Sequence, residues 1–411
     1  MTKADDLQAA VGELEDRIRR YPSATYPVQH ATAQFHLGVA LTQATRLREA
    51  EDALLAAARL FDPDRLAVEH GKTLNSLGAV QRMQGRLEDA AATFARAAEI
   101  FERSRSEAER GAAVFNLGLV RREQDDPTGA ARSFREARSV FDAGRLPIQA
   151  AAAARELGGS LLATGDLEAA LEHLEEAVTL ADGAGDQAGS GASANALGLV
   201  HMAAGRLPDA VDSFRAAAAA HPRSVRAHDF AMAKANLALA YERAGDSPRA
   251  RLAALQALGI EEASPAVRTQ ASGVIARLGN EPGDLIGVLD QETRDRWPAI
   301  VREDLALWAD APPARQRAEW TAWVDGQLAR PHTAVDLAET WLGALLELPP
   351  ASMEGLVRSV IQALAQRTTS DRERFRADVK RAMARFHVPQ LMRLEATFNL
   401  LASELGPESG W

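Results

Sequence analysis

The dipeptide Leu-Gly stands at residues 37–38, 77–78, 117–118, 157–158 and 197–198, and Leu237-Ala238 follows in the same phase, so one pattern returns six times at a constant interval. A fixed period of about 40 residues marks a chain built by stacking one small supersecondary unit, which restricts the fold to repeat architectures before any local propensity is weighed. Further along each copy comes an alanine in constant phase (Ala50, Ala90, Ala130, Ala170, Ala210, Ala250), and beyond it another (Ala57, Ala97, Ala137, Ala177, Ala217, Ala257). Between the two alanines lie Leu54, Phe94, Phe134, Leu174, Phe214 and, in the last copy, Ala254. Spacings of i, i+4 and i+7 line one face of an α-helix. Each unit therefore reads as a helix A carrying Leu-Gly and a helix B carrying alanine, large residue, alanine. Small side chains at the crossing let the two backbones approach, and the larger residue between the alanines is expected to fill the space to the next unit.

The punctuation agrees. Gly85, Gly165, Gly205 and Gly245 stand where helix A ends, a place that often takes a left-handed backbone, and Leu47, Leu87, Leu167 and Leu207 open helix B. Asp126-Pro127 and Ser247-Pro248 put a capping oxygen ahead of a proline whose missing N–H costs nothing in the first helical turn. Short connections make the paired helices antiparallel neighbours. Alanine supplies about a fifth of the chain and favours helix over sheet. The chain has no cysteine, which excludes disulfides, thiolate metal sites and a cysteine nucleophile. No stretch approaches the roughly 18 apolar residues needed to cross a bilayer, and Met1-Thr-Lys-Ala-Asp-Asp opens onto amphipathic sequence rather than a signal core, so a cytoplasmic location is expected, away from membranes. The formal charge of −10 is shared evenly by the two sides of residue 280, which speaks against a nucleic-acid partner.

Leu-Gly followed by alanine, aromatic, alanine over residues 31–270 resembles the tetratricopeptide repeat. The usual unit of that family is about 34 residues, shorter than the one here. Its early tryptophan is missing, its later tyrosine is met only by Tyr241, and its closing proline only by Pro222. The resemblance implies an all-α fold, a right-handed α-solenoid of six helical hairpins with units 31–70, 71–110, 111–150, 151–190, 191–230 and 231–270. The longer unit looks like the variant found in signalling scaffolds and leaves the curvature open. Residues 1–28 are expected to supply an N-terminal capping helix with the apolar stripe Leu7, Ala10, Leu14 and Ile18. The solenoid, 29–279, is expected to close on a last capping helix over 264–279, where Leu278-Gly279 arrives one residue late.

From residue 280 to 411 the rhythm stops and a smaller C-terminal helical domain of about six helices is expected, because Pro298, Pro312-Pro313, Pro331, Pro349-Pro350 and Pro389 punctuate amphipathic runs. Trp297, Val301, Leu305 and Trp308 form one run and Phe375, Val379, Met383 and Phe386 another. Five of the six tryptophans lie between 297 and 341, where large rings serve a small core. Leu391, Leu394, Phe398, Leu401 and Leu405 make a seam that packs either within the domain or against another copy, giving a homodimer. Seven Lys or Arg face two acids from 372 to 393, either as a solvated face or for an acidic partner.

No Gly-rich phosphate loop, His-Glu-x-x-His or Gly-x-Ser-x-Gly occurs, so neither catalysis nor a cofactor is expected. The nine histidines are scattered; the nearest pairs, His30/His36 and His221/His228, lack ligand spacing, and His332 and His387 fall at helix boundaries. The family resemblance implies that the second, fifth, ninth, twelfth and thirteenth residues of each unit build a concave wall. Carried over, these are Lys72, Asn75, Arg82 and Met83, then Phe115, Leu119, Arg122 and Glu123. Arg155 and Leu162 follow, then Asn195, Leu199 and Met202, with Phe35 and Val39 from the first unit. The partner-binding set is accordingly Lys72, Asn75, Arg82, Phe115, Arg122, Arg155, Asn195 and Met202. Four bases against Glu123 alone point to an acidic peptide: Arg grips carboxylates, Asn bonds the peptide backbone, and Phe115 or Met202 takes an apolar anchor. The expected function is a non-catalytic adaptor or scaffold that binds a protein or peptide segment. The alternative is a peptide- or metabolite-responsive regulator, or an accessory subunit of an enzyme complex, with the C-terminal domain as effector; a third reading makes residues 280–411 an enzyme of unfamiliar type.

Overall fold

The computed structural model describes residues 3–278, 285–406 and 411, and every regular element among them is helical. The chain divides into two compact units, residues 1–206 and 207–411.

The first unit opens with α1 (Lys3–Arg20) and continues as α2 (Pro27–Gln43) with α3 (Leu47–Leu60), α4 (Ala67–Met83) with α5 (Leu87–Arg103), and α6 (Glu107–Glu123) with α7 (Pro127–Ala143). Then come α8 (Pro147–Thr164) with α9 (Leu167–Gly183), and α10 (Gln187–Ala203). The first helices of successive pairs open at Pro27, Ala67, Glu107, Pro147 and Gln187, each one helical turn ahead of the unit starts at 31, 71, 111, 151 and 191. Each Leu-Gly glycine explains itself by what a side chain there would meet. A β-carbon on Gly38 would lie 2.5 Å from Leu54 Cγ, one on Gly78 2.9 Å from the Phe94 ring, and one on Gly118 2.7 Å from Phe134. The large residue between the alanines thus packs on the glycine of its own pair, and it also shares a core with the next pair: Phe94 with Val120, Phe134 with Leu157 and Leu161, and Leu174 with Val200. A second seam of the same design, with no counterpart in the sequence reading, seats Phe101 on Gly71 and Phe141 on Gly111.

Between the helices of a pair, Gly85 and Gly165 hold φ of 78° and 83°. Thr45 and Asp125 hold the same left-handed conformation at the equivalent places, with φ of 57° and 59°. In these turns the Arg46, Arg86 and Asp126 N–H groups donate back to the Leu41, Gln81 and Arg121 carbonyls, and so satisfy acceptors that the helix end leaves open. Asp126 caps α7 by accepting from the Gly129 N–H at 2.8 Å. Asp186 caps α10 in the same manner through Gly189, at 3.0 Å. At the other end α1 lays Leu14 and Ile18, half-buried around fully buried Val11, on the core that holds Leu37, Leu41 and Leu54.

The second unit begins with α11 (Leu207–Ala220), followed by α12 (Ala227–Arg243) paired with α13 (Ser247–Leu258), and α14 (Pro265–Leu278) against both. In the α12/α13 pair Ala238 and Ala254, both fully buried, stand where other pairs have glycine and a large residue. One methyl is gained on the first helix and three or more carbon atoms are lost on the second, so the large side chain that would collide with the Ala238 methyl is absent. The cap of α13 is Asp246, which accepts from the Arg249 N–H at 3.1 Å. Ser247, the cap read from the sequence, is instead the first helical residue. Gly279 and the boundary at 279/280 lie outside the described residues.

Beyond them come short α15 (Leu285–Asp290), a single 3₁₀ turn (Arg294–Arg296), α16 (Trp297–Ala309), α17 (Pro313–Leu328), α18 (Ala334–Leu346), α19 (Pro350–Ala365), α20 (Thr369–Met383) and α21 (Val388–Leu405). Alternate helices pack side by side: α16 on α18, α18 on α20, α17 on α19 and α19 on α21. Trp297, Trp308, Trp320, Trp323 and Trp341 are all buried in this core. Fully buried Gln327 accepts from the Trp323 and Trp341 indole N–H groups at 3.1 and 3.3 Å. An indole N–H cannot be left dry at no cost, so this glutamine is what lets two of the rings sit together. The Leu391–Leu405 seam turns inward: Leu394, Phe398 and Leu401 are buried, and α21 exposes Val388, Met392 and Leu400 on its outer side. Much of the basic run is spent within this unit. Arg374 and Arg393 donate to the Leu328 and Leu346 carbonyls, and Arg385 pairs with Asp336 and Glu339.

Candidate functional site

In the first unit α4 packs beside α6 and α8 beside α10, and the Arg122–Glu156 pair links α6 to α8, so these four helices make a row that carries the residues predicted from the sequence. Lys72 is exposed and pairs with Glu109 one repeat along, at 3.2 Å. Arg82 pairs with Glu123 at 2.9 Å. Arg122 pairs with Glu156, which also takes Arg155 at 3.2 Å. Asn75 accepts a hydrogen bond from the Asn116 amide at 3.1 Å. Apart from the Arg155 pair, which stays on α8, these contacts join helix A of one pair to helix A of the next, as rungs along the row.

The row's charge differs from the sequence expectation. Three carboxylates, Glu109, Glu123 and Glu156, face the four bases, so the predicted positive stripe is largely neutralised. Glu109 was missed because α6 begins at Glu107, ahead of the unit start at 111; Glu156 was missed because it follows, rather than occupies, the position carried over. Phe115 is half-buried and meets Phe134 edge to face, with centroids 5.3 Å apart, so much of its ring is already packed. Asn195 and Met202 are buried, 7% and 8% exposed, and lie under the surface rather than on it. Their neighbour Leu199 is 39% exposed, and with Ala192, Ala196 and Ala203 it makes the α10 end of the row apolar.

The repeats themselves identify the family. Tetratricopeptide-repeat models match residues 69–143, 149–223 and 195–266. The chain is a tetratricopeptide-repeat protein. Among solved structures, this repeat protein is similar to BtubC from P. vanneervenii, with 19% identity over 54% of this chain and 91% of that one and a TM-score of 0.47. It is similar to apo RapI, with 13% identity over 65% and 99% and a TM-score of 0.45. PilF of Pseudomonas aeruginosa gives 16% identity over 60% and 97%, with a TM-score of 0.45. No curated protein sequence matches it. None of these structures is similar enough for a partner or an activity to be carried across.

The second unit holds a different kind of site, which the sequence reading did not find. Glu292, 6% exposed at its side chain, is reached by Arg249 at 3.0 Å, Arg215 at 3.2 Å and Arg296 at 3.2 Å. Arg215 and Arg249 also stand over the Tyr241 ring, 5.8 and 5.9 Å from its centroid, and burial raises the Tyr241 phenol above its ordinary range. Nearby, Lys234 pairs with Glu303 at 2.6 Å while lying over the Phe230 ring. Below that pair Asp304 is buried, accepting from Gln256 at 3.3 Å; desolvation, with the Glu319 charge adding to it, pushes its carboxyl up to about 7. Among the described residues no three His, Asp or Glu side chains stand together as a metal-holding group, and no helix is long and apolar enough to cross a membrane.

Proposed function

We propose that this tetratricopeptide-repeat protein is a non-catalytic adaptor that holds an extended segment of a partner protein along the row on α4, α6, α8 and α10. The observation behind the reading is the row itself. Its bases and amides are linked to one another and to neighbouring carboxylates by polar contacts at the surface that the packing of the pairs does not require. Arg122 keeps about half of its side chain exposed, and ion pairs with an exposed member contribute little, so a ligand carboxylate can engage Arg122 from the solvent side while the more deeply placed Glu156 keeps Arg155. One surplus positive charge, the Asn75–Asn116 amides and the apolar α10 end suit a segment with one or two acidic residues and an apolar anchor. The anchor sits at Leu199 and its alanines; Asn195 and Met202 support it from beneath. A homodimer through the C-terminal helices would have to use Val388, Met392 and Leu400 on the outer side of α21.

The experiment is affinity capture from native cell extract with the full chain. A partner bound in the row should be lost with Arg122→Glu plus Arg155→Glu, and kept with Arg48→Glu on the exposed side of α3. Circular dichroism checks that helicity is unchanged. Capture should also weaken as salt rises through about 0.5 M, where the screening length falls to only a few ångström. Undiminished capture by the double variant would remove the row from the account.

A further inference from the structure

In the first unit a shallow notch of about 360 Å³ lies between α3, α4 and α5, over Leu55, His70, Leu74, Leu77 and Arg96. The same notch recurs four repeats later between α11, α12 and α13, where Arg215, Phe230, Lys234, Leu237 and Gln256 are the repeat equivalents of those five. There it is not left open. Val288 of α15 and Ala299, Ile300 and Glu303 of α16 add a further wall, and the space grows to about 720 Å³. That lies within the roughly 300–1,000 Å³ of small-ligand pockets.

Its lining has two characters. The middle is apolar: Phe230, Leu237, Leu252, Val288 and Ile300. The ends are charged, with Arg215, Lys234, Arg249 and Arg302 outnumbering Glu292 and Glu303. Partners outside the lining do not remove the surplus at the Arg215 end. Three guanidiniums converge there on Glu292, and Asp246 is the one other carboxylate paired to them among the described residues, which leaves one positive charge over. Of these, Arg215 gives one nitrogen to Glu292, also bonds the Tyr241 hydroxyl, and still keeps a third of its side chain exposed. In a half-enclosed site an unbalanced guanidinium favours an anion, and the apolar middle favours a hydrocarbon body.

We propose that this walled notch binds a small amphiphilic carboxylate, with its apolar body between Phe230, Leu252 and Ile300 and its carboxylate on Arg215. Such a ligand touches both α11–α13 and α15–α16, so it strengthens the attachment of these helices to each other. The site is independent of the row on the first unit and survives or fails separately from it.

Decanoate, below its micellar concentration, is the probe, with decanol and decyltrimethylammonium as the neutral and cationic comparisons. Isothermal titration on the full chain should show decanoate binding at least about tenfold tighter than decanol, which corresponds to about 1.4 kcal/mol, and decyltrimethylammonium weakest. Arg215→Gln should bring decanoate and decanol to within about twofold of each other. Ile300→Trp fills the middle and should abolish binding of both. Should that variant not fold, Ala219→Trp on the exposed rim carries the same expectation. Hydrogen exchange should slow in α12 and α16 on adding decanoate and stay unchanged in α4. Equal affinity for decanoate and decanol, binding unaltered by filling the notch, or no binding at millimolar decanoate would each overturn the proposal.

Discussion

Two neighbouring glycines in α8 offer a test of the packing rule on which the repeat rests. Gly158 is buried and a β-carbon there would lie 2.5 Å from Leu174 Cγ and 3.0 and 3.1 Å from its methyls; Gly159 is exposed and would meet nothing within 4 Å. Glycine to alanine within a helix gains about 0.8–1.0 kcal/mol of intrinsic propensity at either place. At Gly159 that gain should appear nearly whole. At Gly158 the carbon atoms must first separate by about 1 Å to reach an ordinary contact of about 3.5–4.0 Å. Cγ is the branch point of Leu174, so the entire side chain has to move, and Ala170, Leu171 and Ala177 around it are buried. Overpacking of this sort costs about 1–3 kcal/mol. Gly158→Ala should therefore range from neutral to about 2 kcal/mol destabilising, about 1–3 kcal/mol below Gly159→Ala. Urea unfolding followed by circular dichroism gives the comparison. Native-state hydrogen exchange of the α8 and α9 amides supports it where the array does not unfold in one step. Removing the obstacle should reveal the coupling. Leu174→Ala alone costs about 2–5 kcal/mol, and combined with Gly158→Ala, which copies the Ala238/Ala254 pair, the loss should fall short of the sum by at least about 1 kcal/mol. Equal stabilisation by the two glycine substitutions, or strict additivity in the double variant, would refute the close apposition of α8 and α9.

Three further outcomes follow. Asp126→Ala leaves the Gly129 N–H without its acceptor and should lower stability by about 1 kcal/mol, read from the urea midpoint. Arg145, with φ of 54° in the turn before α8, carries a left-handed strain of about 1–2 kcal/mol. Arg145→Gly should raise the melting temperature, the net gain staying below about 1 kcal/mol because glycine also loosens the unfolded chain. Asp304 holds its proton up to about 7 in the folded state, whereas an unfolded aspartate loses it near 4. Between those values the native state binds the extra proton, so this carboxyl favours folding most below about pH 4 and its contribution is lost as pH rises to about 7. Asp304→Asn should accordingly gain stability relative to the parent chain from about pH 4 to about pH 8 in urea titrations, and a pH-independent difference would contradict the burial argument.

What could be read from the sequence and what could not differ by the distance over which each contact is encoded. The offset that joins Gly158 to Leu174 also joins Gly38 to Leu54 and Gly78 to Phe94, so every copy restates the rule and the helix pairing is visible from the pattern alone. The Ala238/Ala254 pair looks like decay of the pattern, yet both alanines are fully buried at the equivalent positions, and the large side chain that would strike the Ala238 methyl is the one that is gone. Electrostatics obeys no such local rule. Arg82 finds its acid just beyond its own equivalent in the next repeat, Arg122 finds Glu156 well short of that place, and Lys72 uses the first turn of α6. No single offset retrieves the partners, so counting bases along the row overstates its charge. The walled notch is harder still. Arg215 and Glu292 lie far apart in the chain, in parts of the sequence with different rhythms. Repetition makes a fold legible because each contact is written many times over. A site formed where repetition ends is written once, and only the geometry of α11–α16 brings its residues together.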